Sequence, residues 1–402
     1  GNAMGVNFRL TWLGVFIGLW SVTSFAGSFL VKLSDTSFQT QKAFVAKHGG
    51  TLQAVSEEGK LYRWTSGITT LRSVWGDPSV DFVQKNYTIS VQPNPSLEAA
   101  KKLLALVGIE LVDGPAFPDN PDLKAPIAEA IGPDPMLAQS WGMAKIDAAS
   151  GWSTKAGKDI IVAITDTGVD YNHEDLLANM WRNPKEIVGD NVDNDGNGYA
   201  DDIVGYDFSA NDNKPYDLSM SLMDILMSGG NPGHGTHVAG AVGASLKNKL
   251  GTAGVAPSVK IMALRFISEN GQGDTEGAVK SIDYAVKNGA KIINASWGSE
   301  ANREDDKALQ EAFDRAEKAG VLIVAAAGNG RPNMQTQQME GFDNDSDPNP
   351  MIPASFTNSN VVTVAALDAN DELAGFSNWG FKSCKLGAPG VKVYSTVPGN
   401  RY

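Results

Sequence analysis

From residue 138 onward the chain alternates short apolar runs with stretches in which apolar residues recur at helical spacing. The runs fall at residues 160–164, 259–264, 291–295, 321–325 and 361–365. Helical spacing is shown by Val279, Ile282 and Val286 and by Leu309, Ala312, Phe313 and Ala316. Strand followed by helix at this rhythm predicts an α/β fold with a doubly wound parallel sheet. In such sheets we expect functional side chains at the carboxyl ends of the strands.

The amino-terminal residues have the pattern of an export signal. In residues 4–26, a basic Arg9 precedes an apolar run over residues 10–20, and small residues that include Ala26 follow it. This arrangement predicts a signal peptide cleaved after Ala26 and a secreted protein, in the extracellular space, the periplasm or on the cell surface. A single membrane anchor is the alternative, but the run is shorter than the roughly 20 residues that a spanning helix needs. We therefore expect no stable membrane insertion once the signal is removed.

Residues 27–137 divide into two further zones. Over residues 27–91, short apolar stretches surround one helix-like segment at residues 38–48, which predicts a small α+β unit. Eight prolines lie within residues 92–137, a composition typical of a linker that a protease can reach. The domain with the parallel sheet then occupies residues 138–402.

Charge and cysteine content exclude two classes of protein. The 402 residues include 46 acidic and 33 basic side chains, a formal net charge of −13, so we expect no broad basic surface and no nucleic-acid partner. An acidic chain favours the binding of metal cations instead. Cys384 is the one cysteine, so no intrachain disulfide forms and a disulfide-stapled scaffold is excluded.

Three polar residues stand at predicted strand exits or helix starts. Asp166 follows the first apolar run, His234 lies between two glycines before a helix-like segment, and Asn329 follows the run at residues 321–325. Each has an ordinary structural explanation as a cap or turn residue. Together they supply what acyl transfer needs: a carboxylate to orient an imidazole, the imidazole as general base, and an amide that donates to a developing oxyanion.

Five blocks resemble the signature blocks of the subtilisin-like serine proteases and occur in that family's order. They are Thr165-Asp166-Thr167-Gly168-Val169, His234-Gly235-Thr236-His237-Val238-Ala239-Gly240, Gly254-Val255-Ala256-Pro257, Ala326-Ala327-Gly328-Asn329 and Leu386-Gly387-Ala388-Pro389-Gly390. The resemblance covers residues 138–402. It implies that Asp166 orients the base, that His234 is the base and that Asn329 is the oxyanion donor. It makes His237 a structural histidine; a metal site on His234 and His237 is the alternative, but no further histidine or cysteine lies nearby.

The family's catalytic serine lies in a Gly-Thr-Ser-Met-Ala block, which this sequence does not contain. We therefore expect the chain to be the precursor of a secreted, calcium-stabilised serine endopeptidase, truncated before its serine and inert by itself. No serine in the sequence is assigned as nucleophile. The alternative is a non-hydrolytic pseudoprotease or binding protein on the same scaffold, which gains little support because Asp166, His234 and Asn329 are intact.

The resemblance also implies where a polypeptide substrate binds. The segments that flank the substrate in the family are matched by Gly271, Gln272, Gly273, Ser296, Trp297 and Gly298. The primary pocket is lined by Ala326 and Gly328, and no acidic residue accompanies them, which favours bulky apolar substrate side chains. Core packing is the alternative for Trp297.

Residues 27–91 resemble the inhibitory prodomain of secreted subtilases, which occupies the cleft of its own enzyme until it is cut off. Maturation would then take place in the linker of residues 92–137, at or before Ala138. An unrelated small domain is the alternative, because α+β patterns of this kind are common. We expect a monomer whose partners are polypeptide substrates and its own prodomain.

Oxygen-bearing side chains at alternate positions predict a Ca²⁺ site at residues 193–202. The loop matches the ligand positions of an EF-hand, with Gly198 at the sharp turn, but Val204 stands where the bidentate glutamate would be. The candidate ligands are Asp193, Asp195, Asn197, Tyr199 through its carbonyl, Asp201 and Asp202. An acidic solvated turn is the alternative.

Two further acidic groups are weighed as cation sites. Asp175 and Asn248, with Gln139, resemble the high-affinity calcium ligands of the family. A cluster formed by Asp343, Asp345 and Asp347 is either a third site or a charged loop.

Overall fold

The computed structural model describes residues 27–67, 71, 74–91, 132–152, 157–217, 233–268, 271–300, 306–336 and 338–402. The strands in these residues are β1 (Gly27–Leu33), β2 (Thr51–Ser56), β3 (Leu61–Ser66), β4 (Val80–Lys85), β5 (Thr88–Ser90), β6 (Ile161–Asp166), β7 (Gly205–Asp207), β8 (Lys260–Arg265), β9 (Gln272–Asp274), β10 (Ile292–Ala295), β11 (Ser299–Glu300), β12 (Leu322–Ala326), β13 (Arg331–Pro332), β14 (Met339–Glu340), β15 (Met351–Ile352), β16 (Val361–Leu367) and β17 (Cys384–Pro389). The α-helices are α1 (Phe38–His48), α2 (Trp141–Lys145), α3 (Ala148–Gly151), α4 (His234–Gly243), α5 (Thr275–Lys287) and α6 (Lys307–Lys318).

The amino-terminal unit is an antiparallel sheet in the order β2-β3-β1-β4, packed with α1. Its core is a separate apolar cluster formed by Phe29, Val31, Leu33, Phe44, Tyr62, Trp64, Val74 and Val83. α1 begins after Ser37, whose hydroxyl accepts a hydrogen bond from Thr40 N. The α+β architecture expected for this unit is therefore present.

The large sheet has seven parallel strands in the order β17-β16-β12-β10-β6-β8-β7. Five of them, β6, β8, β10, β12 and β16, are the predicted apolar runs. The other two were not predicted, because β7 has only three residues and β17 is a largely exposed edge strand without an apolar run. The predicted α/β parallel fold is confirmed.

Alternate residues of the central strands face two different cores. Ala163, Met262 and Ile293 belong to the apolar cluster that includes residues of α5 and α6. Val162 and Ile261 belong to a second cluster, which includes residues of α4. Because successive side chains of a strand point to opposite faces, helices cover both faces of the sheet, as a doubly wound fold requires.

The two helices predicted from spacing are α5 and α6. Val279, Ile282 and Phe313 are fully buried against the sheet. Asp274 and Asp306 precede the helices, and each carboxylate accepts a hydrogen bond from the N–H three residues further on. Both helices thus begin with a capping carboxylate.

The predicted signal peptide at residues 4–26 lies outside the described residues, as does most of the predicted linker at residues 92–137. Both stay predictions. None of the helices in the described part of the chain is long and apolar enough to cross a membrane.

Candidate active site

Asp166 and His234 meet at the carboxyl edge of the parallel sheet. Asp166 ends β6, His234 begins α4, and His234 Nδ1 lies 2.7 Å from Asp166 Oδ1. The contact depends on glycine, because a Cβ on Gly235 would lie 2.0 Å from the carbonyl oxygen of Gly168. Only glycine lets α4 begin this close to the end of β6.

The surroundings of Asp166 and His234 suit a role of His234 as general base. Asp166 is fully buried, and its Oδ1 also accepts a hydrogen bond from Thr167 N. Burial alone lowers the pKa of His234, but the charge of Asp166 and the hydrogen bond to it raise that pKa above its ordinary value, with a further contribution from Asp217. Because Nδ1 donates to the carboxylate, Nε2 is the basic nitrogen of the neutral ring.

Asn329 lies at the same edge of the sheet. It follows the end of β12 by three residues, and β12 is separated from β6 only by β10. Gly328 just before it has a φ of 108°, a conformation that residues with a Cβ rarely adopt. All three predicted catalytic residues therefore stand at one edge, and the first two are in contact.

The cleft beside this edge holds an extended segment of the amino-terminal unit. β5 pairs antiparallel with β9, with Ile89 opposite Gly273. On its other side, Ser90 N donates to Gly298 O and Gly298 N donates to Ser90 O, both at 3.1 Å. Two of the segments predicted to flank a substrate, around Gly273 and Gly298, thus flank a peptide strand that comes from this chain itself.

The remaining predicted substrate residues take different positions. Trp297 is buried, packs edge to face on Phe266 and donates from Nε1 to Thr165 Oγ1, which favours core packing for its side chain. Ser296 accepts a hydrogen bond from Asn294. Gln272 pairs with Ser90 through β9 and Gly271 O accepts a hydrogen bond from Val91 N, so both lie along the same strand. Ala326 ends β12, and Gly328 follows it.

A model of the subtilase family matches residues 157–402, more than half of the chain. The chain belongs to the subtilase family. It is 32% identical over 273 residues to subtilisin-like protease 2 of Plasmodium falciparum (isolate 3D7), which covers 65% of this chain and 17% of that protein. It is 33% identical over 270 residues to thermitase of Thermoactinomyces vulgaris, which covers 67% of this chain and 77% of thermitase.

A solved structure shares the architecture. Fervidolysin of Fervidobacterium pennivorans, a keratinolytic enzyme related to subtilisin, matches with a TM-score of 0.61 and 25% identity, over 93% of this chain and 48% of its own. The chain thus spans about a sixth of the Plasmodium relative and about half of fervidolysin. The predicted family and fold of this subtilase are confirmed.

The acidic loop of this subtilase gathers only part of the predicted calcium ligands. Carboxylate oxygens of Asp193, Asp195 and Glu186 lie within 4.8 Å of one another. Asp201 instead accepts hydrogen bonds from two backbone N–H groups, and Asp202 accepts from Tyr284 and other side chains. Neither carboxylate is a member of the cluster. Glu186 was missed because an isolated glutamate seven residues before the loop shows no pattern.

The side chains of two more predicted ligands make contacts within the protein. The side-chain oxygen of Asn197 accepts from Tyr199 N. Tyr199 packs its ring against Tyr206, Phe208 and Tyr284, and burial raises its pKa to about 12. The carbonyl of Tyr199 remains the group assigned to a cation there.

At the second predicted site, the carboxylate oxygens of Asp175 accept hydrogen bonds from the protein. Asn248 Nδ2 donates to Asp175 Oδ1 at 2.7 Å, and Thr252 N donates to Asp175 Oδ2 at 3.1 Å. Burial raises the pKa of Asp175 to about 6. Gln139 is exposed. The structure thus joins Asp175 and Asn248 through a hydrogen bond between them.

The cluster at residues 343–347 is a hydrogen-bonded loop. Asp345 accepts from Lys382 N and Ser383 N, and Asp347 is paired with Arg331 in a bidentate contact. The carboxylates of Asp345 and Asp347 thus accept hydrogen bonds from donors within the protein, which favours the charged-loop interpretation.

Proposed function

We propose that the protein is a secreted serine endopeptidase of the subtilase family that is stabilised by calcium and made as a self-inhibited precursor. The contact between His234 and Asp166 at the sheet edge carries this proposal. With Nδ1 held by the carboxylate, Nε2 is placed to take the proton of a serine hydroxyl as its oxygen attacks a peptide carbonyl, and to return it to the leaving amine. No serine of these 402 residues is assigned as the nucleophile, and the reaction requires one.

Asn329 supplies the second catalytic element. A negative charge develops on the carbonyl oxygen when the serine attacks, and the side-chain amide donates a hydrogen bond to it. The position of Asn329, at the same sheet edge as the His234 and Asp166 pair, supports this role.

Hydrolysis and active-site labelling test the peptidase proposal. The full-length protein is expected to cleave unfolded polypeptides and to be labelled by a serine-directed fluorophosphonate, and His234→Ala is expected to abolish the labelling. A folded full-length protein that is not labelled would favour a non-hydrolytic protein on this scaffold.

The inhibitory role of residues 27–91 is supported by their contacts with the catalytic domain. Besides the pairing of β5 in the cleft, two side-chain amides dock on the starts of α5 and α6. Asn86 donates to Asp274 and accepts from Glu276 N. Gln84 makes the same pair of contacts at the start of α6, where it donates to Asp306 and accepts from Ala308 N. A unit held in this way blocks access of a substrate strand to the cleft.

Glu186, Asp193 and Asp195 fit a calcium ion. Their clustered carboxylates are hard oxygen ligands, and each keeps acceptor capacity beyond its protein donors, which at Asp195 include Asn183 Nδ2 and the Lys185 ammonium. A bound cation would neutralise mutual repulsion of the carboxylates and hold the loop of residues 183–202 together.

We expect calcium to raise the melting temperature of this chain by about 5 °C or more, and Glu186→Gln to reduce that rise strongly. The control is Asp190→Asn, whose carboxylate bonds within the same loop but lies outside the cluster. Thermal unfolding with and without calcium measures the rise in melting temperature for the unaltered chain and for both variants. An equal rise in wild type and Glu186→Gln would refute this site.

Met351 narrows the proposed primary pocket. A Cβ on Gly298 would lie 2.8 Å from Met351 Sδ, and a Cβ on Gly328 would lie 3.2 Å from Met351 Cγ, so this buried side chain lies between a predicted flanking segment and the predicted pocket lining. The sequence alone favoured bulky apolar substrates, whereas this packing favours small side chains. Met351→Gly in the full-length protein should shift preference toward phenylalanine at least tenfold, measured as kcat/KM on paired peptides. An unchanged ratio would contradict the pocket assignment.

A further inference from the structure

Asp217 is a buried carboxylate beside Asp166 and His234 to which the proposed peptidase reaction assigns no role. It is 1% exposed. Its Oδ1 accepts from Gly233 N at 2.9 Å and from Thr167 Oγ1 at 3.1 Å, and its Oδ2 accepts from Thr236 N at 2.9 Å and Thr236 Oγ1 at 2.8 Å. Every donor belongs either to the start of α4 or to the residue next to Asp166. The carboxylate therefore joins the two elements that carry the catalytic pair.

The start of α4 needs an acceptor from elsewhere in the chain. Gly233 is its N-cap residue and has no side chain with which to cap the helix. Asp217, 16 residues upstream of Gly233, takes two of the N–H groups at this end. Thr167 Oγ1 accepts a third, from Gly235 N at 2.9 Å. The first turn of α4 is thus held to the end of β6 by side chains of Asp217 and Thr167.

We propose that Asp217 is a positioning residue for His234, because its carboxylate holds the first turn of α4 at the end of β6 and so keeps the imidazole opposite Asp166. The kinetic part of this proposal rests on the proposed peptidase function. The structural part does not, since the His234 and Asp166 contact is present in the chain as it stands.

The charge of Asp217 acts on the same imidazole. The positive end of a helix disfavours a protonated ring, and a buried carboxylate at that end opposes this effect. Among the described residues, the titratable groups that act on the ring are Asp166, Asp217 and His237 on the same helix. Arg265 donates to Thr167 O and pairs with Asp207. Burial raises the pKa of Asp217 to about 7, and its hydrogen bonds oppose that rise. Both oxygens accept in all four contacts, which favours the ionised form.

The test is Asp217→Asn in this chain, followed by NMR titration of the imidazole. The four histidines are distinguished with His234→Gln as the assignment variant. We expect the pKa of His234 to fall by roughly one pH unit, because a nearby negative charge is lost. The matched control is Asp170→Asn, a change at another buried aspartate whose carboxylate bonds Asn172 N and Gly399 N instead. The Asp170→Asn variant should have an unchanged His234 pKa.

In the full-length protein, Asp217→Asn should lower kcat about 100-fold with little change in KM, and the acid limb of the pH profile should move to lower pH by the same amount as the pKa. If Asp217→Asn does not fold, Thr167→Val removes the hydrogen bonds that Thr167 Oγ1 makes with Asp217 and with Gly235 N, and it leaves the charge of Asp217 in place. That variant should lower kcat with the pKa of His234 unchanged. A folded Asp217→Asn with the wild-type pKa and kcat, or a Thr167→Val with the wild-type kcat, overturns the proposal.

The role of Asp217 and the peptidase function are tested separately. Full-length protein that hydrolyses no peptide refutes the peptidase function, while the NMR result still decides the role of Asp217.

Discussion

Asp166→Asn is expected to lower kcat of the full-length protein about 10⁴-fold with a small change in KM. The substitution keeps the shape of the side chain, but an amide can present its NH₂ group to His234 Nδ1, which selects the wrong tautomer and removes the charge that stabilises the protonated ring. The size is the one established for this change in other serine proteases. Steady-state kinetics on a peptide substrate measures it.

Asp283→Asn serves as the control for that experiment. Asp283 is a partly exposed aspartate of α5 that pairs with Arg315, away from the sheet edge, and its replacement should leave kcat within twofold. Asp166→Asn with a native circular dichroism spectrum and unchanged kcat would show that the 2.7 Å contact plays no part in turnover.

Ile89→Asp is expected to weaken inhibition by residues 27–91 about 1,000-fold. Ile89 is fully buried in the cleft between the segments around Gly273 and Gly298, and an aspartate there would be desolvated without a partner, at a cost of about 4 kcal/mol or more. Ile89 belongs to the core cluster of the catalytic domain and not to that of the amino-terminal unit. The change therefore affects docking and leaves the core of the inhibitor intact.

The inhibition constant of residues 27–91, added to matured full-length enzyme, measures this effect. Phe38→Asp is the matched control, because Phe38 is 76% exposed on α1 and its replacement should leave inhibition unchanged. Equal inhibition by the Ile89→Asp and unaltered segments would mean that the unit is held by contacts outside the cleft, or that it is not the inhibitor.

The proposed catalytic pair of Asp166 and His234 was predicted from sequence, whereas the acidic cluster of Glu186, Asp193 and Asp195 was predicted only in part. Asp166 and His234 stand in glycine-containing blocks at element ends, so their local sequence indicates their position. In the acidic loop, alternation of oxygen-bearing residues resembled an EF-hand, yet Asp201 and Asp202 turn toward other donors. A pattern of side-chain types does not specify which way each one points when several donors compete for it.

The sequence by itself determined the parallel sheet, its two amphipathic helices and the residue types of the proposed catalytic site, because these depend on local periodicity and on short blocks at strand ends. Only the tertiary structure decided the partners of Glu186, Asp217 and Met351. Each acts across a loop or between distant segments, where no local pattern records the contact. Such contacts arise when the sheet brings the ends of its strands to one edge, so they follow from chain topology rather than from the sequence near each residue.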